Sequence, residues 1–146
     1  MLIKNADYGF SLVVPDDYRE MRKEDFRKFG ADRNTLYVFL KQEDGESLPI
    51  VLTLDAPAQS EKEYLKIVDA NAEGMKLVGM TIDERVAETD GRARVDAIYS
   101  SFRGLRFSTR FTAIRGLTVA ATVEIGEKDD ESDRILSAIF DSFEEI

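Results

Sequence analysis

The chain has 146 residues, 43% of them hydrophobic and 34% charged, the proportions of one globular domain (1–146) large enough to bury a full core. Twenty basic against twenty-nine acidic side chains leave a net charge of −9, which disfavours attraction to nucleic-acid phosphates or anionic lipid. Cysteine and histidine are both missing, which excludes disulfides, thiolate and imidazole metal ligands, thiol nucleophiles and Ser-His-Asp triads.

The N-terminal "MLIKNADYGF" has neither the long apolar stretch nor the cleavage site of a signal peptide, and no later segment approaches the ~20 apolar residues that span a bilayer. A cytoplasmic location without membrane insertion is the expectation. Tyr8, Phe10, Leu12 and Val14 alternate up to Pro15, predicting a strand stopped by a residue that cannot donate to a ladder. Residues 17–29, "DYREMRKEDFRKF", are rich in helix formers and predict a helix with Tyr18, Met21, Phe26 and Phe29 as its contacts. The runs "TLYVFL" and "LPIVLTL", separated by Gly45, are apolar on both faces, as in strands near the centre of a covered sheet. Ser60 with Glu63 forms a capping box, and Tyr64, Leu65, Val68, Ala72 and Met75 follow at helical spacing. At the C-terminus, Asp129 and Asp130 precede an apolar stripe of Ile135, Leu136, Ile139, Phe140 and Phe143, predicting a helix with an acidic start that suits its dipole.

Between the two long helices, Asp90-Gly91 signals a two-residue hairpin turn, and Gly104 and Gly116 suit the last position of three-residue hairpin loops. Four strands follow, at about 80–89, 92–101, 105–113 and 117–125. With Thr89 facing Arg92, Ser101 facing Leu105 and Ala113 facing Leu117, one face collects Ile82, Val86, Val95, Tyr99, Phe107, Phe111, Val119, Val123 and Ile125. Arg106 and Arg110 then occupy the opposite, polar face, Arg110 and Arg85 flanking Asp96 and Arg106 facing Glu124. Arg103 and Arg115 fall in turns.

From Arg92 to Arg115 six arginines stand against one acid, a local charge of +5 that leaves −14 for the rest. Arg92, Arg94, Arg106 and Arg110, with Ser100, Ser108 and Thr112 nearby, are candidate contacts for an anionic ligand or a partner. A polar sheet face that is solvated or covered by a helix accounts for the same residues without any ligand. No catalytic set is found: Ser100-Ser101 reads as strand sequence, and the lysines lie in polar contexts. "DDESD" is the nearest approach to a cation site but reads as helix capping, and no glycine-rich phosphate cradle follows a strand. No cofactor and no metal are expected. The strand at 117–125 carries few charges and, as a sheet edge, offers a contact for a homodimer.

The order of elements resembles the PsbP-like superfamily, which takes in the photosystem extrinsic protein PsbP, a Ran-binding nuclear-import factor and bacterial DcrB-like proteins. The resemblance is carried by "GFSLVVPDDY", with Tyr18 three residues after Pro15, by Gly91-Arg92-Ala93 before a long strand, by "IRGLTVAATVEI", and by Ser142-Phe143 near the end. It implies an α+β fold, an antiparallel sheet of about seven strands flanked by helices in an α/β/α sandwich. It also implies noncatalytic work, as a protein-interaction or adaptor domain whose partner is another protein. Two alternatives stand beside it: a chaperone for hydrophobic segments of type VI secretion effectors, as for some bacterial relatives, and a binder of small anions on the arginine-bearing sheet face.

Overall fold

A computed structural model of the protein describes residues 1–29, 33–41, 49–89, 94–126 and 131–146. The predicted Gly45 loop, the Asp90-Gly91 turn, Arg92 and the Asp129-Asp130 pair lie outside these residues. In chain order the elements are β1 (Leu2–Asn5), β2 (Phe10–Val13), β3 (Tyr18–Glu20), a 3-10 segment (Lys23–Phe29), β4 (Thr35–Lys41), β5 (Ile50–Leu54) and α1 (Glu61–Leu77). After them come β6 (Thr81–Thr89), β7 (Arg94–Phe102), β8 (Leu105–Ile114), β9 (Leu117–Ile125), α2 (Glu131–Asp141) and β10 (Glu144–Glu145).

Seven strands form an antiparallel sheet in the order β3-β4-β5-β9-β8-β7-β6, and β1, β2 and β10 form a small second sheet. On one face α1 buries Tyr64, Val68 and Ala72 against Ile98, Phe111 and Ala120. On the other, Leu136, Ile139 and Phe140 of α2 join Phe10 and Leu12 of the small sheet, and Val14 just after it, over Val95, Val119, Ala121 and Val123. The α+β, helix-flanked, seven-stranded architecture expected from the sequence is the one observed. Ser60 caps α1 by accepting from the Glu63 backbone N–H at 3.2 Å, while the Glu63 carboxylate reaches back to the Gln59 N–H at 2.7 Å.

Three local expectations are corrected. Residues 17–29 do not form an α-helix: Tyr18–Glu20 pair with β4, and only Lys23–Phe29 wind into a 3-10 segment. The edge of β4 offers backbone partners, the Met21 N–H donates to the Val38 carbonyl at 2.8 Å, and burial of Tyr18 outweighs the helix propensity of the charged residues around it. The strand at 117–125 is not an edge but the sheet's centre, held between β5 and β8, because β5 supplies a second apolar partner strand.

The third correction concerns register. Gly104 and Gly116 close two-residue turns, not three-residue ones, because Arg103 and Arg115 also take positive φ (50° each) beside the glycines at 82° and 76°. Phe102 therefore faces Leu105, and Ile114 faces Leu117, a slip of one residue from the predicted pairing. Such a slip exchanges faces. Phe107 and Phe111 turn toward α1, while Val95, Val119, Val123 and Ile125 turn toward α2, so the single apolar surface is divided between two covered faces. On β6, Thr89 pairs with Arg94, not Arg92, and a bulge between Ile82 and Glu84 completes the shift. Asp96 thus lies across from Ala87 and Phe111, and Arg106 across from Ser101 and Ile125.

Candidate functional site

The register places two polar networks on opposite sides of the sheet. On the α1 side, Arg94 and Asp96 are two residues apart on β7 and share a face, so their pairing needs no partner strand. Arg94 Nε and Nη2 grip the two Asp96 oxygens at 3.1 and 3.2 Å, and Arg94 Nη1 reaches Glu61 at 2.8 Å in the first turn of α1. Those hydrogen bonds, first to Asp96 and then to Glu61, hold the guanidinium pKa above its ordinary value. Asp96 is buried, and the Tyr64 hydroxyl stands 2.7 Å from its Oδ2 and 2.9 Å from the Phe111 carbonyl oxygen. Burial first, and the adjoining Asp96 carboxylate second, push the Tyr64 phenol far above its usual range.

On the α2 side the centre is Arg110, whose side chain is 2% exposed. Its Nη2 lies 3.1 Å from the Tyr99 hydroxyl and 3.3 Å from Asp133 Oδ1, and its Nη1 lies 3.2 Å from Glu88 on β6. Burial opposes the charge, but Tyr99, Asp133 and Glu88 together outweigh it and leave the Arg110 pKa raised. Asp133, in the first turn of α2, also accepts from Ser108 at 2.6 Å and from Tyr99 at 2.9 Å. Burial, then the hydrogen bond to Asp133, push the Tyr99 phenol up to about 12. One carboxylate thus binds β7, β8 and the start of α2 together.

Of the arginines singled out in the sequence, Arg94 and Arg110 face opposite layers, Arg106 is exposed on the α2 side two residues before Ser108, and Arg92 is outside the described residues. In place of the expected contacts with Asp96, Arg110 meets Asp133 and Glu88, and Arg85 meets Asp69 on α1 at 2.7 Å. The sequence reading missed Asp133, Glu88, Tyr64 and Glu61, which come from distant segments. The Arg94-x-Asp96 spacing alone carried a usable signal.

A cleft of about 790 Å³ opens at the end of the sheet where β7 begins and β8 ends. Tyr64, Ala113, Ile114 and Phe143 form its apolar wall, and Glu61, Arg94, Glu144 and Glu145 its charged rim. The start of α1 borders it on one side and the chain leaving α2 on the other. Arg94 is already matched by Asp96 and Glu61, so the rim is acidic on balance. With its one phenol, Tyr64, hydrogen-bonded to Asp96 and the Phe111 carbonyl, the cleft is suited to binding: it offers hydrogen-bond acceptors, negative charge and apolar surface.

No protein-family model matches the sequence, and no curated protein matches it. Solved structures do. The solution structure of cyanobacterial PsbP (CyanoP) from Synechocystis superposes with a TM-score of 0.69 at 12% identity, covering 100% of this chain and 92% of that one. The Saccharomyces cerevisiae Ran-binding protein Mog1p superposes at 0.56 and 9% identity, covering 99% and 94%. The chain has the PsbP-like fold. Within that PsbP-like frame, the cleft and the two arginine networks are built from this chain's own side chains, at identities too low to carry residues across. Among the described residues no helix is long and apolar enough to cross a membrane.

Proposed function

We propose that the protein is a noncatalytic protein-interaction domain, and that its sheet-end cleft receives a short partner segment carrying a basic residue among apolar ones. The observation that carries this reading is the composition of the cleft. Among the described residues the cleft is lined by three carboxylates, Glu61, Glu144 and Glu145, and one cation, Arg94, beside an apolar wall, and Arg94 is already paired with Asp96 and Glu61. A lysine or arginine would meet the carboxylates while its apolar neighbours cover Ile114 and Phe143. Mog1p, a Ran-binding protein, has the same fold, which is therefore compatible with a protein partner. Arg110 serves this function indirectly, by fixing α2 and the chain that leaves it.

Isothermal titration with a ten-residue probe alternating lysine and leucine tests the reading on wild type and on Glu144→Lys/Glu145→Lys. Binding to wild type that weakens with salt and is lost in the double variant is the expected result. Equal binding to both proteins, or to neither, contradicts it. A second reading, a small anion held at Arg94, is favoured by the position of that guanidinium on the rim with its side chain 31% exposed. A melting temperature raised by carboxylates or phosphate in wild type and not in Arg94→Ala would select it.

A further inference from the structure

Arg22, Lys23 and Arg33 lie outside the arginine-rich hairpins, in the stretch of chain that joins β3 to β4. They line a second cavity, of about 580 Å³, between the β1–β2 turn and the start of β4, with buried Phe26 and Tyr37 at its floor. β4 and β8 are three strand spacings apart, about 14 Å, and this cavity shares no residue with the cleft. Local geometry brings its walls together. β3 pairs Glu20 with Phe39, and the Met21 N–H donates to the Val38 carbonyl at 2.8 Å, so the chain runs on toward the start of β4 and delivers Arg22 and Lys23 there. Arg33 arrives from the other direction, two residues before β4 begins. Facing them, the Gly9 N–H donates to the Asn5 carbonyl at 2.8 Å and the Asn5 side chain accepts from the Tyr8 N–H at 2.9 Å, a closed turn that holds Asp7 at the mouth.

Among the described residues none of the three cations meets a carboxylate, although Asp7 and Glu20 line the same cavity. The two carboxylates act on the Tyr37 phenol instead: its pKa is raised by burial first and by the charges of Glu20 and Asp7, against a hydrogen bond from Asn5. The cavity thus combines unpaired positive charge with a group of hydrogen-bond acceptors. Three converging cations match a group of about two negative charges, the charge of a phosphate monoester near neutral pH, and a single carboxylate would leave most of that charge unmet. Ionised carboxylates only accept, so the body joined to the phosphate has to bring donors, and hydroxyls are donors without a charge to repel the guanidiniums. The volume falls within the range of about 300–1,000 Å³ that encloses small organic ligands, far more than phosphate alone fills.

We propose that this cavity binds a small phosphate monoester with a hydroxylated body, the chemistry shared by nucleotides and sugar phosphates. Arg22, Lys23 and Arg33 hold the phosphate, and Asp7 and Glu20 accept from the hydroxyls. The site is independent of the cleft and of Arg94.

Isothermal titration tests the proposal with adenosine monophosphate, glucose-6-phosphate, their unphosphorylated bodies adenosine and glucose, inorganic phosphate and a short phosphoserine peptide. The proteins are wild type, Arg22→Gln/Arg33→Gln, Glu20→Gln and, as a control, Arg94→Ala. All four changed side chains are at least partly exposed, and Arg33→Gln alone replaces the pair if circular dichroism shows that the pair misfolds. At least one ester is expected to bind wild type, with its unphosphorylated body and inorganic phosphate weaker by about tenfold or more. Binding of the nucleotide alone identifies a nucleotide site, and binding of glucose-6-phosphate alone a sugar-phosphate site. The double arginine variant should lose about tenfold or more in affinity for the ester, Glu20→Gln should weaken the ester and leave inorganic phosphate unchanged, and Arg94→Ala should bind as wild type does. Failure of both esters to bind overturns the proposal, as does inorganic phosphate or the phosphoserine peptide binding as tightly as either ester. Equal affinity of the ester for wild type and the double arginine variant, or for wild type and Glu20→Gln, overturns it too. Loss of binding in Arg94→Ala alone would assign the ligand to the cleft rim and also overturn it.

Discussion

Replacing Asp133 with alanine isolates the contact that fixes α2 on the sheet. The substitution takes a carboxylate away from Arg110, whose side chain is 2% exposed, and removes the acceptor for the Ser108 and Tyr99 hydroxyls. Breaking a buried ion pair from one side costs about 3–5 kcal/mol, because the remaining charge is left in a poor solvent. Two features reduce that figure here: Glu88 stays 3.2 Å from Nη1, and Asp133 itself is 17% exposed, so some solvation is recovered. Loss of an acid from the first turn of α2 adds a few tenths of a kcal/mol through the helix dipole. The expected cost is about 3 kcal/mol, or roughly 10 °C in melting temperature for a domain of this size. Urea unfolding followed by circular dichroism measures it. The mechanism makes a sharper demand on the double variant Arg110→Met/Asp133→Leu, which leaves no buried charge and must be more stable than Asp133→Ala alone. An Asp133→Ala protein within about 0.5 kcal/mol of wild type, the range of ordinary surface substitutions, would refute the reasoning, as would a double variant less stable than the single one.

Further predictions follow from the phenols and the turns. The Tyr99 pKa is raised on folding to about 12, so the stability it contributes is complete below the unfolded value near 10 and is lost as pH rises through about 12. Unfolding free energies measured from pH 9 to 12 should fall more steeply for wild type than for Tyr99→Phe, and parallel curves would contradict the assignment. Gly116→Ala should cost about 1–2 kcal/mol, since its φ is 76° and the new Cβ would come within 3.2 Å of Gln59. Gly74→Ala, in the last turn of α1 with open space around it, should stabilise by about 0.5–1 kcal/mol. Thermal melts of the two variants check both signs.

Where a structural signal was local, the sequence displayed it. The capping box of α1, the alternation ending at Pro15 and the doubly apolar runs of β4 and β5 each depend on neighbours within a few residues, and each was legible. Register was less so, because it turned on Arg103 and Arg115 taking a left-handed conformation that arginine seldom adopts. A single residue of slip at each turn then moved Asp96 and Arg110 to opposite layers. The β3 strand was hidden for a different reason: its charged residues prefer a helix in isolation, and only the open edge of β4 recruits them. The cleft draws on α1, β7, β8 and the C-terminal segment, and Asp133 is 23 positions from Arg110. No short-range pattern marks either.

Affinity co-purification of the tagged protein from lysate of its own source cells, read by mass spectrometry with Glu144→Lys/Glu145→Lys alongside, bears most directly on the claim that this is a protein-interaction domain acting through its cleft. The account predicts a reproducible protein partner with wild type that is lost from the folded double variant. A protein that emerges alone, or a partner held equally by both, would contradict it.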